Sequence, residues 1–164
     1  MVFKSFAEIL QPDFRHSFQL AGDETEPWRK IEFADHYAIA AAIELPGHVS
    51  EDVRQMFDRA RHAFVFAWFD YELTVLADQY TLATLEAALK AHYGPTGPRT
   101  LAPLIRRALD DGLFDPGLDF GGLRATSLSH IRNHWAHGVN GFGSPLTTSN
   151  LMRLCARLIG TLTT

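Results

Sequence analysis

The chain has 164 residues, of which 46% are hydrophobic, so it can bury one substantial core and is not expected to be disordered. Its formal net charge of −4 argues against a broad nucleic-acid-binding surface. The single cysteine, Cys155, excludes a disulfide framework within the chain and favours a cytoplasmic location. No secretory signal follows Met1, and the longest apolar stretches, 38–43 and 63–69, are too short to span a membrane. We therefore expect a soluble protein.

The first 48 residues show the weakest periodicity, and we predict an N-terminal extension of unclear structure over 1–48. A short helix is predicted over 5–10, before Pro12. The stretch 28–43 fits the strand and helix periods equally poorly, and we expect a helix for its Ala-rich part, 37–44. The remainder, 49–164, is predicted to be a helical bundle that folds as a single unit.

A long helical region is predicted next. Ser50, followed by Glu51 and Asp52, is typical of a helix N-cap with acidic residues in the first turn. No proline or glycine occurs from there to residue 93. The pattern predicts either one long helix or two helices separated near Thr74 or Thr81.

Glycine and proline divide the second half of the chain. A loop at 94–98 precedes an amphipathic helix over 101–113, and a loop ends near 122 before a helix that finishes at 137. A last helix, capped by Thr147 or Thr148, continues to about residue 162. Four or five helices with short connections predict an all-α antiparallel bundle.

Charge is distributed unevenly along the chain. Residues 1–94 carry 8 Lys and Arg against 15 Asp and Glu, a net of −7, whereas 95–164 carry 7 Arg against 4 Asp, a net of +3. These seven arginines are candidates for phosphate contacts at the edge of one cleft, or for solvated positions on helix faces: Arg99, Arg106, Arg107, Arg124, Arg132, Arg153 and Arg157.

The segment 132–137 reads R-N-H-W-A-H. Arg132 offers a planar cation that matches phosphate oxygens, and His137 can transfer a proton near neutral pH without a metal. With Asn133 between them, this segment resembles the R-N-x-x-x-H motif of the HEPN (higher eukaryotes and prokaryotes nucleotide-binding) domain family. The stretches 66–73 and 83–89 resemble the helices that precede the motif in bacterial HEPN-like proteins, and the resemblance covers roughly 50–160.

The resemblance implies a dimeric, metal-independent endoribonuclease that acts as a toxin or in defence against phage. Its catalytic residues would be Arg132, Asn133 and His137, its substrate RNA, and its products a 2′,3′-cyclic phosphate and a 5′-hydroxyl. It needs no metal and no cofactor. The expected partners are RNA, a second copy held through the motif helix and an antitoxin, with no membrane.

Helical geometry adds a reason for dimerisation. At about 100° per residue, His130, Asn133, His134 and His137 lie on one stripe, whereas Arg132 lies roughly 140° from His137. One helix therefore cannot place Arg132 and His137 directly in one row, and a cleft shared with a second copy relieves this. His130 and His134 are predicted to support substrate binding.

Glu86 and Glu72 are acids on otherwise apolar helix faces. A buried carboxylate needs a partner, and Arg132 is a candidate. Either acid can orient Arg132 beside a substrate, or it is an exposed or locally capped carboxylate. Glu86 is the one that we assign to the site.

Three other interpretations remain open. His130, His134 and His137 form an H-x-x-x-H-x-x-H pattern able to share one metal ion, although the pattern lacks the glutamate of H-E-x-x-H. The protein can instead be a non-catalytic dimer that binds a nucleotide, RNA or protein through the same cleft, or a structural bundle with a buried motif. The remaining histidines are expected at the surface or partly buried, not in catalysis: His16, His36, His48, His62 and His92.

Overall fold

A computed structural model describes residues 4–22, 25, 27–136 and 143–162. Within these ranges the fold is all-α, as predicted, with one two-stranded antiparallel sheet as the only extended structure. The helices are α1 (Phe33–Ala41), α2 (Glu51–Phe66), α3 (Leu73–Tyr93), α4 (Leu101–Asp110), α5 (Leu128–Ala136) and α6 (Pro145–Gly160). None of the described helices is long and apolar enough to cross a membrane.

The predicted long helical region is two helices, because α2 ends at Phe66 and α3 begins at Leu73. The carbonyl groups at the end of a helix have no partner within the helix. Here the N-terminal segment supplies partners: Nε2 of His36 lies 2.7 Å from the Phe64 oxygen, and Nε2 of His16 lies 3.1 Å from the Ala67 oxygen. A carbonyl only accepts, so both ring nitrogens donate. The end of α2 is thus hydrogen-bonded to residues that are distant from it in sequence.

Helix α3 occupies the centre of the described structure, where it contacts α2, α4, α5 and α6. Its buried face contributes Leu82, Leu85 and Leu89 to the core, where they join Leu104 of α4 and Leu154 of α6. Burying side chains of this size contributes about 1.5 to 3 kcal/mol each. This packing holds the opposite face of α3 in a defined position beside α5.

The described part of the first 48 residues packs against the junction of α2 and α3. It contains a short 3-10 helix (Phe14–Phe18), strands β1 (Leu20–Ala21) and β2 (Arg29–Lys30), and α1. The backbone N–H of Asp13 donates to the Trp68 oxygen at 2.8 Å. His16 and His36, which we expected at the surface or partly buried, are buried, with exposed fractions of 3% and 0%.

The helix predicted over 5–10 is wrong. Residues 6–10 form turns, closed by hydrogen bonds from Ser5 Oγ and Ser5 N to the Glu8 carboxylate at 2.6 and 2.9 Å. Pro12 follows at once, and a proline disfavours helical conformation in the residue before it. The segment from Ser5 to Glu8 is therefore a closed turn, and the chain does not continue from it as a helix.

Two helix boundaries also differ from prediction. Helix α6 is capped by Ser144, whose hydroxyl accepts from the Thr147 N–H at 3.1 Å, whereas Thr148 is fully buried inside the helix. Helix α4 ends at Asp110 instead of 113, because Gly112 adopts a φ of +71° that turns the chain away. The predicted end of the motif helix at His137 lies outside the described residues.

Candidate functional site

The motif residues lie on α5, after a 3-10 turn at Ala125–Ser127. Leu128 is fully buried in the core, which fixes the inner face of the helix. Arg132, Asn133, His134 and His130 are all exposed. Helix α5 thus exposes every described residue of the predicted site except Glu86: the stripe of His130, Asn133 and His134, and Arg132 beside it. His137 lies outside the described residues.

Glu86 of α3 connects this stripe to the centre of the fold. Its Oε2 lies 3.4 Å from Nε of Arg132, and its Oε1 accepts from Nζ of Lys90 at 2.6 Å. The Glu86 side chain is 12% exposed and that of Arg132 is 47% exposed. Glu72, the other candidate acid, pairs instead with Arg15 at 2.8 Å. The structure therefore brings Arg132 next to Glu86 and leaves Glu72 with a different partner.

A groove of about 470 Å³ lies along this contact. Its lining consists of Gln79, Leu82, Ala83, Glu86, Ala87 and Lys90 of α3, together with Arg132 of α5. The α3 residues recur at helical spacing, so they form one stripe about 16 Å long. Small apolar side chains form the floor between polar groups. We call this the Arg132 groove.

The Arg132 groove can hold an anion. Two cations, Arg132 and Lys90, share the single carboxylate of Glu86, so these three side chains carry a net charge of +1. Arg132 pairs with Glu86 through Nε, and its side chain remains 47% exposed, so part of the guanidinium is open to solvent. A guanidinium offers a fork of N–H donors that matches two phosphate oxygens.

Lys90 and Gln79 were not identified from the sequence. The i, i+4 spacing of Glu86 and Lys90 is a recognisable helix-pair signal, but it predicts an ordinary surface ion pair. Only the position of α5 makes this pair part of a groove. No local signal indicated Gln79.

Of the seven arginines in the second half of the chain, only Arg132 lines this groove. Arg124 pairs with Asp119 at 3.1 Å, and the Arg107 guanidinium lies 4.5 Å from the centre of the Tyr93 ring. Arg153 and Arg157 line a different groove. These arginines therefore lie on separate parts of the surface and do not line one groove together.

Two described residues are candidate nucleophiles, Cys155 and Ser127. Cys155 is fully buried, and burial raises the pKa of its thiol far above the ordinary value. Ser127 Oγ donates to the Arg124 carbonyl at 2.7 Å in a local turn. Neither group is arranged for covalent catalysis.

For metal binding, the described residues contain no cluster of three or more His, Cys, Asp or Glu side chains. His130 and His134 are both described, but the third member of their pattern, His137, is not. Two histidines alone do not form a closed zinc site, which requires four ligands.

Asp78 is a buried acid of α3. It lies on the buried face of α3 and is only 2% exposed. Its Oδ1 has no hydrogen-bond partner among the described residues. Burial raises the pKa of this carboxyl to about 7, and the nearby Thr148 hydroxyl acts more weakly in the opposite direction. Asp78 does not line the Arg132 groove.

Comparison of the chain with protein-family models, curated proteins and solved structures found no match.

Proposed function

We propose that this protein is a metal-independent endoribonuclease of the HEPN type. The observation that carries the proposal is Arg132: it lines a groove, pairs with Glu86 through Nε at 3.4 Å, and keeps 47% of its side chain exposed to a substrate. Lys90 adds a second cation beside it. This arrangement supports an anionic substrate with Arg132 at its phosphate.

In the proposed reaction, the ribose 2′-hydroxyl attacks the adjacent phosphorus atom. His137 takes the proton from the 2′ oxygen or gives one to the leaving 5′ oxygen, and Arg132 stabilises the negative charge that builds on the phosphorane. Asn133 holds His137 or the phosphate in position. The bond from phosphorus to the 5′ oxygen breaks, leaving a 2′,3′-cyclic phosphate and a 5′-hydroxyl.

The proposed enzyme is a homodimer. The exposed stripe of α5, with His130, Asn133 and His134, would face the same stripe of a second copy. Such a two-fold contact is self-complementary and would pool the arginines and histidines of both copies in one cleft. A toxin or phage-defence role, with an antitoxin as partner, belongs to the same proposal.

A non-catalytic dimer that binds RNA, a nucleotide or a protein through this groove is the competing function. It needs Arg132 as a phosphate clamp, which the exposed guanidinium also supports. A purely structural bundle is disfavoured, because it predicts a buried Arg132 locked between carboxylates. Cleavage itself separates the enzyme from the binding protein.

The test is RNA cleavage by His137→Ala and Arg132→Ala, with melting temperature and mass measured in parallel. We expect each variant to cleave ~10²-fold more slowly or worse, because general acid–base catalysis typically contributes 10² to 10⁴. Arg132→Lys should recover little of the cleavage rate lost in Arg132→Ala, since an ammonium group lacks the planar fork of N–H donors. The matched control is His62→Ala, at an exposed histidine of α2, which should cleave normally.

A second experiment changes the substrate instead of the protein. A strand with a single 2′-deoxy substitution at the cut site must resist cleavage, and the products of the normal strand must end in 2′,3′-cyclic phosphate. Cutting at the 2′-deoxy position would rule out internal attack. Normal RNA binding without cleavage by the unaltered protein would support the competing function.

A further inference from the structure

A second groove, of about 600 Å³, lies between α6 and the chain that follows α1. Arg153 and Arg157 of α6 form one side, and Ile43 and Pro46 form another. Phe120, from the loop before α5, lines it as well. None of these residues belongs to the Arg132 groove. We call it the Arg153 groove.

The two arginines share one face of α6. Residues four apart on a helix are neighbours, with their Cβ atoms about 6 Å apart. Two like charges at this spacing repel each other, and in the described ranges no carboxylate lies within ion-pair distance of Arg153 or Arg157. By contrast, Arg132 and Arg124 each have a carboxylate partner. An anion between Arg153 and Arg157 would remove this repulsion.

The apolar side of the groove is held in place by close packing. The Phe120 backbone forms paired hydrogen bonds with Leu123 at 3.0 and 3.2 Å, so the loop is closed on itself. Gly121, with a φ of +60°, packs so closely on the Asn150 side chain of α6 that a Cβ there would collide with it. A Cβ on Gly160 would lie 3.0 Å from Cγ of Pro46. The walls of the groove are therefore formed before any ligand arrives, as is usual for small-molecule sites.

We propose that the Arg153 groove binds a nucleotide, with a phosphate group between Arg153 and Arg157 and the base against Phe120. The volume lies within the range of ordinary ligand pockets, which is about 300 to 1,000 Å³. Arginine pairs bind phosphate through several N–H donors, and an aromatic side chain offers a face on which a base stacks. The site goes beyond the proposed ribonuclease activity and does not depend on it. A free nucleotide and the terminal nucleotide of an RNA strand share this chemistry.

Glu44 provides a sharp internal control. Its exposed carboxylate lines the same groove but forms no ion pair with either arginine. A negative charge at this position opposes a bound phosphate, so removing it should tighten binding. An effect of this sign is expected only if an anion occupies the groove.

The test is isothermal titration calorimetry of the full chain with ADP, with adenosine and inorganic phosphate as partial ligands. We expect ADP to bind more tightly than either. Arg153→Ala and Arg157→Ala should each weaken ADP binding about tenfold or more, because each removes charge-assisted hydrogen bonds. Glu44→Gln should strengthen it. Phe120→Leu, which keeps an apolar side chain, should weaken ADP binding but leave phosphate binding unchanged.

Two controls locate the ligand. Arg59→Ala removes one exposed arginine of α2 that lines neither groove and should leave ADP binding unchanged. Arg132→Ala separates the two grooves, because it removes the arginine of the other one. ADP binding that is lost in Arg132→Ala and retained in Arg153→Ala would overturn the proposal, and so would the absence of ADP binding at millimolar concentration.

The two possible sources are separated by competition. A short RNA with a 5′-phosphate that displaces ADP, when the same RNA with a 5′-hydroxyl does not, identifies the end of a strand as the ligand. Displacement by free nucleotides alone identifies a soluble nucleotide. If no other nucleotide and no phosphorylated strand competes with ADP, the proposal is overturned, because the heat measured with ADP would then come from binding at a different site.

Discussion

Glu86 on α3 and Arg132 on α5 form an ion pair, with 3.4 Å between Oε2 and Nε, that joins the centre of the fold to the exposed motif helix. The same carboxylate also accepts from Lys90. Glu86 therefore has two cations to position, and 47% of the Arg132 side chain stays exposed beside it. This makes Glu86 a positioning residue in the proposed site.

Glu86→Gln should reduce RNA cleavage about 10- to 100-fold, because small misplacements of a catalytic group cost factors of this size. The free energy of unfolding should change by less than about 1 kcal/mol, since the pair is partly exposed to solvent. Cleavage rates and urea unfolding measure the two effects. The control is Glu51→Gln, which removes the remote pair with Arg54 at 3.2 Å and should alter neither. Cleavage at the normal rate by Glu86→Gln would contradict the role.

Chelation should leave activity unchanged, because the proposed chemistry uses arginine and histidine and no Lewis acid. The measurement is RNA cleavage before and after dialysis against EDTA, with metal content determined in both samples. Stoichiometric zinc coordinated by His130, His134 and His137 at about 2.0 to 2.1 Å would instead support the metal interpretation.

The proposed dimer predicts that His130→Glu dissociates the protein. His130 lies on the exposed stripe of α5, so the substitution would place like charges opposite each other across a two-fold interface. Light scattering at micromolar concentration should give twice the mass of one chain for the unaltered protein and for the control, His62→Glu. A single-chain mass for the unaltered protein would contradict the interface.

Asp78 should make the protein less stable as the pH rises. Its pKa of about 7 lies above the ordinary value of 3.8, so between these pH values the folded state retains a proton that the unfolded state releases. Each pH unit in that window should lower the free energy of unfolding by about 1.4 kcal/mol. Asp78→Asn should remove this loss and be more stable than the unaltered protein at pH 8. Urea unfolding from pH 4 to 8 tests it, and the exposed Asp110→Asn should keep the original profile.

His36 should make the protein less stable as the pH falls, which is opposite to the effect of Asp78. Burial, with a smaller contribution from the charge of His16, lowers its pKa below the ordinary value of 6.5. The unfolded state therefore takes up a proton below about pH 6.5 that the folded state refuses, and stability falls on acidification. His36→Gln, introduced into Asp78→Asn to remove the competing effect, should flatten the profile below pH 6.5. The exposed His62→Gln in the same background should not.

Features with a local cause could be predicted from the sequence. Gly94, with a φ of +67°, follows the last residue of α3, and α4 begins at Leu101 as its pattern indicates. The motif residues from Arg132 lie on a helix for the same reason: apolar residues recur at helical spacing and anchor one face. Glycine, proline and helical periodicity act over a few residues, so one sequence is enough to locate them.

Features that depend on contacts distant in sequence could not be predicted. The separation of α2 from α3 involves His16 and His36, which reach the end of α2 from the N-terminal segment. Lys90 became part of a groove only because α5 packs beside it. Arg153 and Arg157 were candidates for either the motif cleft or solvated helix faces, because charge does not say which face of the bundle a helix presents.

The histidine contacts at the end of α2 also set an order of assembly. The bond from His36 closes a separation of 28 residues and that from His16 one of 51 residues, and the entropy of closing a loop rises with its length. During synthesis the His36 bond cannot form until Phe64 has left the ribosome, nor the His16 bond until Ala67 has left it, so the N-terminal segment takes its final position after α2 is made. Amide protons of the Phe14–Phe18 helix should accordingly exchange with solvent faster than those of α3, as in a unit that opens before the core.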